Sequence, residues 1–352
     1  MSVNGKILKI LLCLVLSVFA INALGQESST NKRTAAQSAL AKKTGIAPHE
    51  SLDSLALAPG QLTALPVITG EKSDFDKFTR ELIQVQWRDN DPIDLYVIRP
   101  KGIARPRAVL YLYSYPTENN RFRDEGYCER ITFGGVAAIG FVSALTGHRY
   151  HDRPMKEWFV SELPEALTLS VHDVQMVLDY LKQRGDLDLS DIGIFGQGSG
   201  ATIAILAASV DSRIRKLDLL DAWGDWPVWM AKSSLVPDAE RKAYLKPNFL
   251  ASVAPLDPTR YLPKLTQQAI RLQYRSDDTV TPPGAAAKIA AAAPSGAQIV
   301  HYASAKEMYQ ATSGGRLFDW IKGQSKGAAK VAPDPSSVRP STADASSQQS
   351  QW

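Results

Sequence analysis

The stretch DLDLSDIGIFGQGSGATIAILAAS, residues 186–209, decides the fold of this chain. Its first half contains the apolar run IGIF, residues 192–195, which is typical of a buried strand, and its second half is a run of small and apolar residues that is typical of a helix. Between them, Gly196, Gly198 and Gly200 permit a sharp turn with close backbone contacts. The stretch therefore predicts a strand, a tight turn and a helix, in that order.

Strand and helix patterns alternate around this stretch. Upstream lie a hairpin-like pair of strands, FTRELIQVQW and IDLYVIRP, and two buried strands, AVLYLYSY and VAAIGFVSALTG, with a short helix predicted between the buried strands near Tyr127 to Phe133. A long amphipathic helix is predicted over residues 165–185, because apolar side chains recur there at helical spacing. This alternation predicts an α/β fold in which helices flank a mostly parallel central sheet.

The two ends of the chain differ from its middle. Residues 1–25 combine a cationic start, an apolar run and small residues near the end, which predicts a signal peptide too short to remain as a membrane anchor. We therefore expect an exported protein, periplasmic or secreted. Residues 26–73 read as a leader segment, residues 74–323 as one folded domain, and residues 324–352 as a disordered tail because they contain almost no large apolar side chains.

Composition excludes some functions. Hydrophobic residues make up 44% of the chain and charged residues 22%, which are ordinary values for a globular protein. The formal charge is +4, and removal of the signal peptide with Lys6 and Lys9 lowers it to +2, so no nucleic-acid partner is expected. Removal of Cys13 leaves Cys128 alone, which excludes an internal disulfide. No cofactor is predicted, a small-molecule ligand stays open, and nothing identifies a protein partner.

The strand, turn and helix of residues 186–209 resemble the nucleophile elbow of α/β hydrolases. LQYRSDDTVTPP, residues 272–283, resembles the acid-bearing turn of the same superfamily, and the resemblance extends over roughly residues 78–322. It implies an α/β-hydrolase fold of the esterase, dienelactone hydrolase or serine peptidase kind. It also implies that a serine, a histidine and an acid should occupy three particular positions.

The serine position is altered. The superfamily places its nucleophile third in G-x-S-x-G, and the five residues here are Gly196, Gln197, Gly198, Ser199 and Gly200. The nucleophile position therefore falls on Gly198. A shifted frame would make Ser199 a displaced nucleophile, with Gln197 and Ala201 at the flanking positions.

The acid is present but the histidine is not. The resemblance assigns the acid to Asp278, with Asp277 as its neighbour. Where the superfamily has histidine after its last strand, this chain has Glu307, or Lys306 if one gap is allowed, and neither can serve as a neutral imidazole base. His301 precedes this position and reads as a strand residue. The sequence therefore predicts a degenerate triad without ordinary serine-hydrolase activity, a pseudoenzyme.

Several side chains could still form a pocket around the turn. Backbone N–H groups after Gly198 could attract an anion, and the segment GHRYHDRP lies after a strand, where α/β folds collect ligands. His148, His151 and Asp152 could in principle bind a metal ion. They are only three residues of one loop, without a ligand from elsewhere in the chain, so no metal is predicted. The candidate pocket residues are Gln197, Ser114, Tyr115, His148, His151, Trp223 and Trp226. The tryptophans could line a lid or simply pack onto the domain.

Three alternative functions stay open. The first is an active esterase or peptidase that uses Ser199 with His148 or His151 as its base. The second is a dinucleotide-binding protein, because Gly196-x-Gly198-x-x-Ala201 matches a nucleotide fingerprint and Asp218 or Asp221 could serve as its acid. The third is a scaffold that binds a partner through the leader or the tail.

Overall fold

The computed structural model of the protein describes residues 50–89, 91–146 and 160–323. The predicted signal peptide, the first part of the leader and the predicted tail lie outside the described residues. His148 and His151 also lie outside them.

Within the described residues, nine strands form one mixed sheet with the order β1-β2-β3-β5-β4-β6-β7-β8-β9. The strands are β1 (Ile68–Asp74), β2 (Phe78–Val85), β3 (Ile93–Pro100), β4 (Arg107–Leu112), β5 (Val136–Phe141), β6 (Asp188–Gln197), β7 (Ile214–Leu220), β8 (Ala269–Arg275) and β9 (Gln298–Tyr302). The pairs β1–β2, β2–β3 and β3–β5 are antiparallel. The pairs β5–β4, β4–β6, β6–β7, β7–β8 and β8–β9 are parallel. This confirms the predicted α/β fold with a mostly parallel central sheet.

Helices cover both faces of the sheet. The α-helices are α1 (Glu125–Thr132), α2 (Leu163–Arg184), α3 (Ser199–Ala208), α4 (Trp226–Lys232), α5 (Arg241–Tyr244), α6 (Pro247–Val253), α7 (Pro283–Ala291) and α8 (Ala305–Thr312). Neighbouring residues of β4, Leu110 and Tyr111, belong to two different buried clusters, so these clusters lie on opposite faces. Val174 of α2 packs in the first cluster and Ile131 of α1 in the second.

The sheet begins earlier than the sequence suggests. Strand β1 starts at Ile68, inside the stretch read as a leader, and pairs antiparallel with β2 at one edge. Most of its residues are exposed on both faces. Because an edge strand without a buried face shows no apolar alternation, its sequence does not predict it.

A buried polar network attaches the chain at Glu50 to helix α2. We call Glu50, Arg88, His172 and Asp173 the N-terminal clamp. Arg88 Nη2 donates to Glu50 Oε1 at 2.7 Å, and Arg88 also pairs with Asp173. His172 Nδ1 bonds Glu50, and its Nε2 bonds the carbonyl of Ser54 at 2.8 Å. Burial alone would raise the pKa of Glu50, but the hydrogen bonds from Arg88 and His172 outweigh it and lower that pKa to about 2.

Helix α2 holds the next few residues as well. Gln175 Nε2 donates to the carbonyl of Leu55 at 2.8 Å, and Leu57 N donates to Gln175 Oε1 at 3.1 Å. One amide side chain therefore satisfies two backbone groups of this segment. None of the helices in the described ranges combines the length and hydrophobicity that crossing a bilayer would require.

Candidate active site

The sharp turn predicted after the central strand is present. Strand β6 ends at Gln197, helix α3 begins at Ser199, and Gly198 between them has φ 54° and ψ −119°. That region of backbone space strongly favours glycine. A Cβ on Gly196 would lie 2.5 Å from Cα of Ala201, and one on Gly200 would overlap the carbonyl of Leu112. The flanking glycines therefore serve close packing of the turn against its neighbours.

The space beside Gly198 is already filled. A Cβ built on Gly198 would overlap Ser114 Oγ, would lie 2.7 Å from Ser114 Cβ and would lie 3.1 Å from Trp223 Nε1. Ser114 is half-buried in the loop after β4, and its Oγ donates to the carbonyl of Tyr115 at 3.2 Å. A serine side chain at position 198 would therefore have to displace this neighbour.

Ser199 has a structural partner. Its side chain is fully buried, and its Oγ accepts a hydrogen bond from the backbone N–H of Tyr115 at 3.0 Å. In α/β hydrolases the loop after the equivalent strand supplies an N–H to the oxyanion hole. Here the N–H of Tyr115 in that loop is directed to Ser199, so the hydroxyl and this donor satisfy each other.

Asp278 lies in a turn after β8 and is paired with a guanidinium. Its carboxylate accepts hydrogen bonds from the N–H groups of Val280 at 3.0 Å and Thr281 at 3.2 Å. Arg275 Nη2 lies 3.4 Å from Asp278 Oδ1, and Arg275 Nε donates to Asp221 Oδ2 at 2.9 Å. Burial and the nearby Asp278 raise the pKa of Asp221 to about 6. The acid of the triad position is thus part of an arginine-bridged carboxylate pair.

The histidine position carries a helix cap. Ser304 Oγ accepts from the N–H of Glu307 at 3.3 Å, and Glu307 Oε2 accepts from the N–H of Ala303 at 2.6 Å. This is close to the reciprocal capping box, in which a hydroxyl and a carboxylate satisfy free N–H groups at a helix start. Glu307 and Lys306 are both exposed. Glu307 therefore stabilises the start of α8.

Neither histidine of the described ranges contacts Ser199. His301 is exposed, and its Nε2 bonds Ser276 Oγ at 2.6 Å. His172 belongs to the N-terminal clamp, where both of its ring nitrogens have partners. The two histidines suggested as substitute bases, His148 and His151, lie outside the described residues.

The tryptophans are packed in the core, which is one of the two arrangements that the sequence left open. Trp223, Trp226 and Trp229 are at most 1% exposed. The ring centroids of Trp223 and Trp229 lie 5.0 Å apart, and those of Trp226 and Trp229 lie 5.8 Å apart in an edge-to-face arrangement. Trp223 also reaches the turn at Gly198. Of the other candidate pocket residues, Gln197 is half-buried at the end of β6, and Tyr115 is buried beneath the turn.

Neither Asp218 nor Asp221 is available as the acid that a dinucleotide-binding site would need. Both carboxylate oxygens of Asp218 are bound by Arg271, at 2.8 and 2.6 Å, and Gln273 donates to one of them at 2.8 Å. Asp221 is held by Arg275. The stretches 50–89, 91–146 and 160–323 also hold no group of three acidic, histidine or cysteine side chains that could bind a metal ion.

Sequence reasoning missed two groups at this edge of the sheet. For Arg275 the sequence gives a weak signal, because Arg275 stands three residues before Asp278 and could have been expected to pair with it. Glu118 has none, since it stands in a polar loop, yet it is 2% exposed and its Oε1 accepts from Ser143 Oγ at 2.6 Å. Glu118 therefore links the loop after β4 to the end of β5.

Comparisons with known proteins agree on the fold. No family model matches the sequence, and no curated protein is detectably similar to it. Among solved structures, acetyl xylan esterase 1 from Thermoanaerobacterium sp. JW/SL YS485 is 13% identical with a TM-score of 0.53, over 67% of this chain and 80% of that one. An acetyl xylan esterase from Paenibacillus sp. R4 is 17% identical with a TM-score of 0.53, over 74% and 89%.

A peptidase shares the same architecture. The acylaminoacyl peptidase of Pyrococcus horikoshii is 14% identical with a TM-score of 0.51, over 71% of this chain and 39% of that one. Identities this low carry information about the fold and not about the reaction. The sheet order, the sharp turn after β6 and these likenesses together show that the chain is an α/β-hydrolase-fold protein.

Proposed function

We propose that this protein is a pseudoenzyme with an α/β-hydrolase fold, which binds a small anionic or apolar ligand or a protein partner without hydrolysing it. The observation that carries the proposal is the filled turn. Gly198 has no side chain, and Ser114 and Trp223 occupy the space that a side chain there would need. Position 198 therefore has no side-chain atom that could act as a nucleophile and no space for one.

The displaced-nucleophile candidate Ser199 and the histidine position at Glu307 support the same proposal. The buried hydroxyl of Ser199 is held by the N–H of Tyr115, so it does not face solvent or substrate. Glu307 caps α8. Loss of a nucleophile or of its histidine alone lowers turnover about a million-fold, so the described residues offer no ordinary route to an acyl-enzyme.

A fluorophosphonate probe and a short-chain ester substrate test the proposal on the whole chain. We expect no covalent label, and we expect ester hydrolysis at the rate of buffer alone, because no base among the described residues contacts Ser199. Ser199→Ala is the matched variant, and it should behave like the wild type in both assays. A label on Ser199 that disappears in Ser199→Ala would instead favour an active hydrolase with a displaced nucleophile.

We also propose that the protein is exported, as the composition of residues 1–25 suggests. In a host with the matching secretion system, the protein recovered outside the cytoplasm should begin at or close to Gln26. Recovery of the uncleaved chain from the cytoplasm alone would contradict this.

A further inference from the structure

A second concave site lies apart from the filled turn. A cleft of about 630 Å³ opens between the segment that follows β4 into α1 and the segment formed by α8 with the 3-10 helix Ser313–Phe318. Small-molecule sites typically measure roughly 300 to 1,000 Å³. Neither Gly198 nor Glu307 lines this cleft.

Two guanidinium groups face the same aromatic ring in this cleft. Cζ of Arg121 lies 6.0 Å and Cζ of Arg130 lies 5.9 Å from the ring centroid of Tyr127. Arg121 also stacks on Tyr113, with its Cζ 4.0 Å from that centroid. Such stacking restrains a guanidinium, and the N–H groups of a guanidinium can bind an anion in a forked geometry.

The positive charge of the cleft is mostly uncompensated. Within the described parts of the chain, neither Arg121 nor Arg130 forms an ion pair. Asp124 is the one acidic residue among the described residues that line it, and its Oδ1 accepts from the N–H of Tyr127 at 2.6 Å as the cap of α1. The cleft therefore has two arginines against one carboxylate that already has a partner.

The other residues that line the cleft suit the uncharged organic portion of a ligand that carries an anionic group. Tyr127, Leu317 and Phe318 supply buried apolar surface, and Thr117 and Asn120 supply hydrogen-bonding groups. A pocket with apolar walls and a few polar groups is the common form of a small-molecule site.

We propose that this cleft binds a small organic anion, with its carboxylate or phosphoryl group held by Arg121 and Arg130 and its apolar or ring portion against Tyr127 and Phe318. The inference extends the proposed function by giving the bound ligand a place and a chemical class. It does not depend on whether the protein hydrolyses esters, since Gly198, Ser199, Asp278 and Glu307 are not among the residues that line the cleft.

Calorimetric titration of the whole chain with three non-hydrolysable probes tests the proposal. Benzoate and phenylphosphonate carry the two anionic groups on one ring, and benzamide is the neutral counterpart of benzoate. We expect at least one anion to bind about tenfold more tightly than benzamide, and more weakly as salt is added. The preferred anion distinguishes a carboxylate ligand from a phosphoryl one. Binding of neither anion, or equal binding of benzamide, would overturn the proposal.

Variants locate the binding. Arg121→Gln and Arg130→Gln should each weaken the preferred anion about tenfold, because each removes a charge-assisted hydrogen bond. Arg215→Gln is the matched control, since Arg215 is an exposed arginine near the start of β7 and is not among the residues that line the cleft. Equal weakening in all three variants would overturn the assigned site.

A fourth variant guards against misfolding. Asp124→Asn keeps a side chain that can cap α1 and removes the negative charge from the cleft. We expect the anion to bind several-fold more tightly, on the order of threefold from a surface charge, and a damaged protein could not produce this gain. Unchanged or weaker binding in Asp124→Asn would contradict the proposal.

Discussion

The turn at Gly198 and the N-terminal clamp differ in the polar groups that they bring together. At the turn the backbone has the shape of a nucleophile elbow. The residues beside the turn, Ser114, Ser199 and Tyr115, contact one another or the turn itself. At the clamp a buried imidazole, a guanidinium and two carboxylates meet, and none of them stands at a triad position.

The difference teaches that a histidine beside a carboxylate is not evidence of catalysis. His172 pairs with Glu50 as a catalytic histidine pairs with its acid, yet its second nitrogen bonds the carbonyl of Ser54 and has no nucleophile. A base needs a ring nitrogen that faces the reacting group. In the described part of this chain, the buried imidazole holds the N-terminal segment in place.

The largest effect should come from breaking the clamp. Arg88→Met leaves the carboxylates of Glu50 and Asp173 without their cation, and one partner removed from a buried ion pair costs about 3 to 5 kcal/mol. Urea unfolding should show this loss in the free energy of unfolding. Lys101→Ala, which removes an exposed ion pair with Asp74, is the control and should cost less than about 1 kcal/mol. Equal losses in the two variants would contradict the importance of the clamp.

A smaller effect is expected at the turn. Gly198→Ser forces a Cβ against Ser114 and should lower the free energy of unfolding by roughly 1 to 3 kcal/mol, with no gain of ester hydrolysis. Ser114→Gly in the same chain should restore part of that loss, so a double-mutant cycle should give a coupling of about 1 kcal/mol. If Gly198→Ser were as stable as the wild type, the turn would have room for a nucleophile.

The smallest effect is expected at Glu307, the position where the resemblance implies a histidine. Glu307→Ala removes one half of a helix cap and should cost about 0.5 kcal/mol, measured by thermal unfolding. Lys306→Ala is the adjacent exposed control and should change stability less. A change in ester hydrolysis or in probe labelling by Glu307→Ala would show that this position has a chemical role.

Sequence alone predicts the fold well because the fold depends on local pattern. The apolar runs of β4, β5 and β6 lie where both faces of the sheet are covered. The turn at Gly198 follows from the demand for glycine at left-handed backbone angles. Strand β1 was not predicted, because its exposed residues carry no periodic signal.

The candidate site is predicted only in part. Sequence shows which residue types stand at the triad positions, but not what replaces their contacts. The filling of the turn by Ser114 depends on two strands coming together in space. The pairing of Asp278 with Arg275 also required the folded turn. The tryptophan pattern could not distinguish a lid from a core, because both use the same helical spacing.

The N-terminal clamp also bears on the order in which the chain can fold. Glu50 and His172 are 122 residues apart in sequence, and Leu55 and Gln175 are 120 apart. A chain synthesised from its N-terminus exposes Glu50 long before α2 exists, so the segment from Glu50 to Leu57 cannot dock until β1 to β5 and α2 have been made. Contacts of such high sequence separation slow folding, so this segment should settle only after α2 has formed.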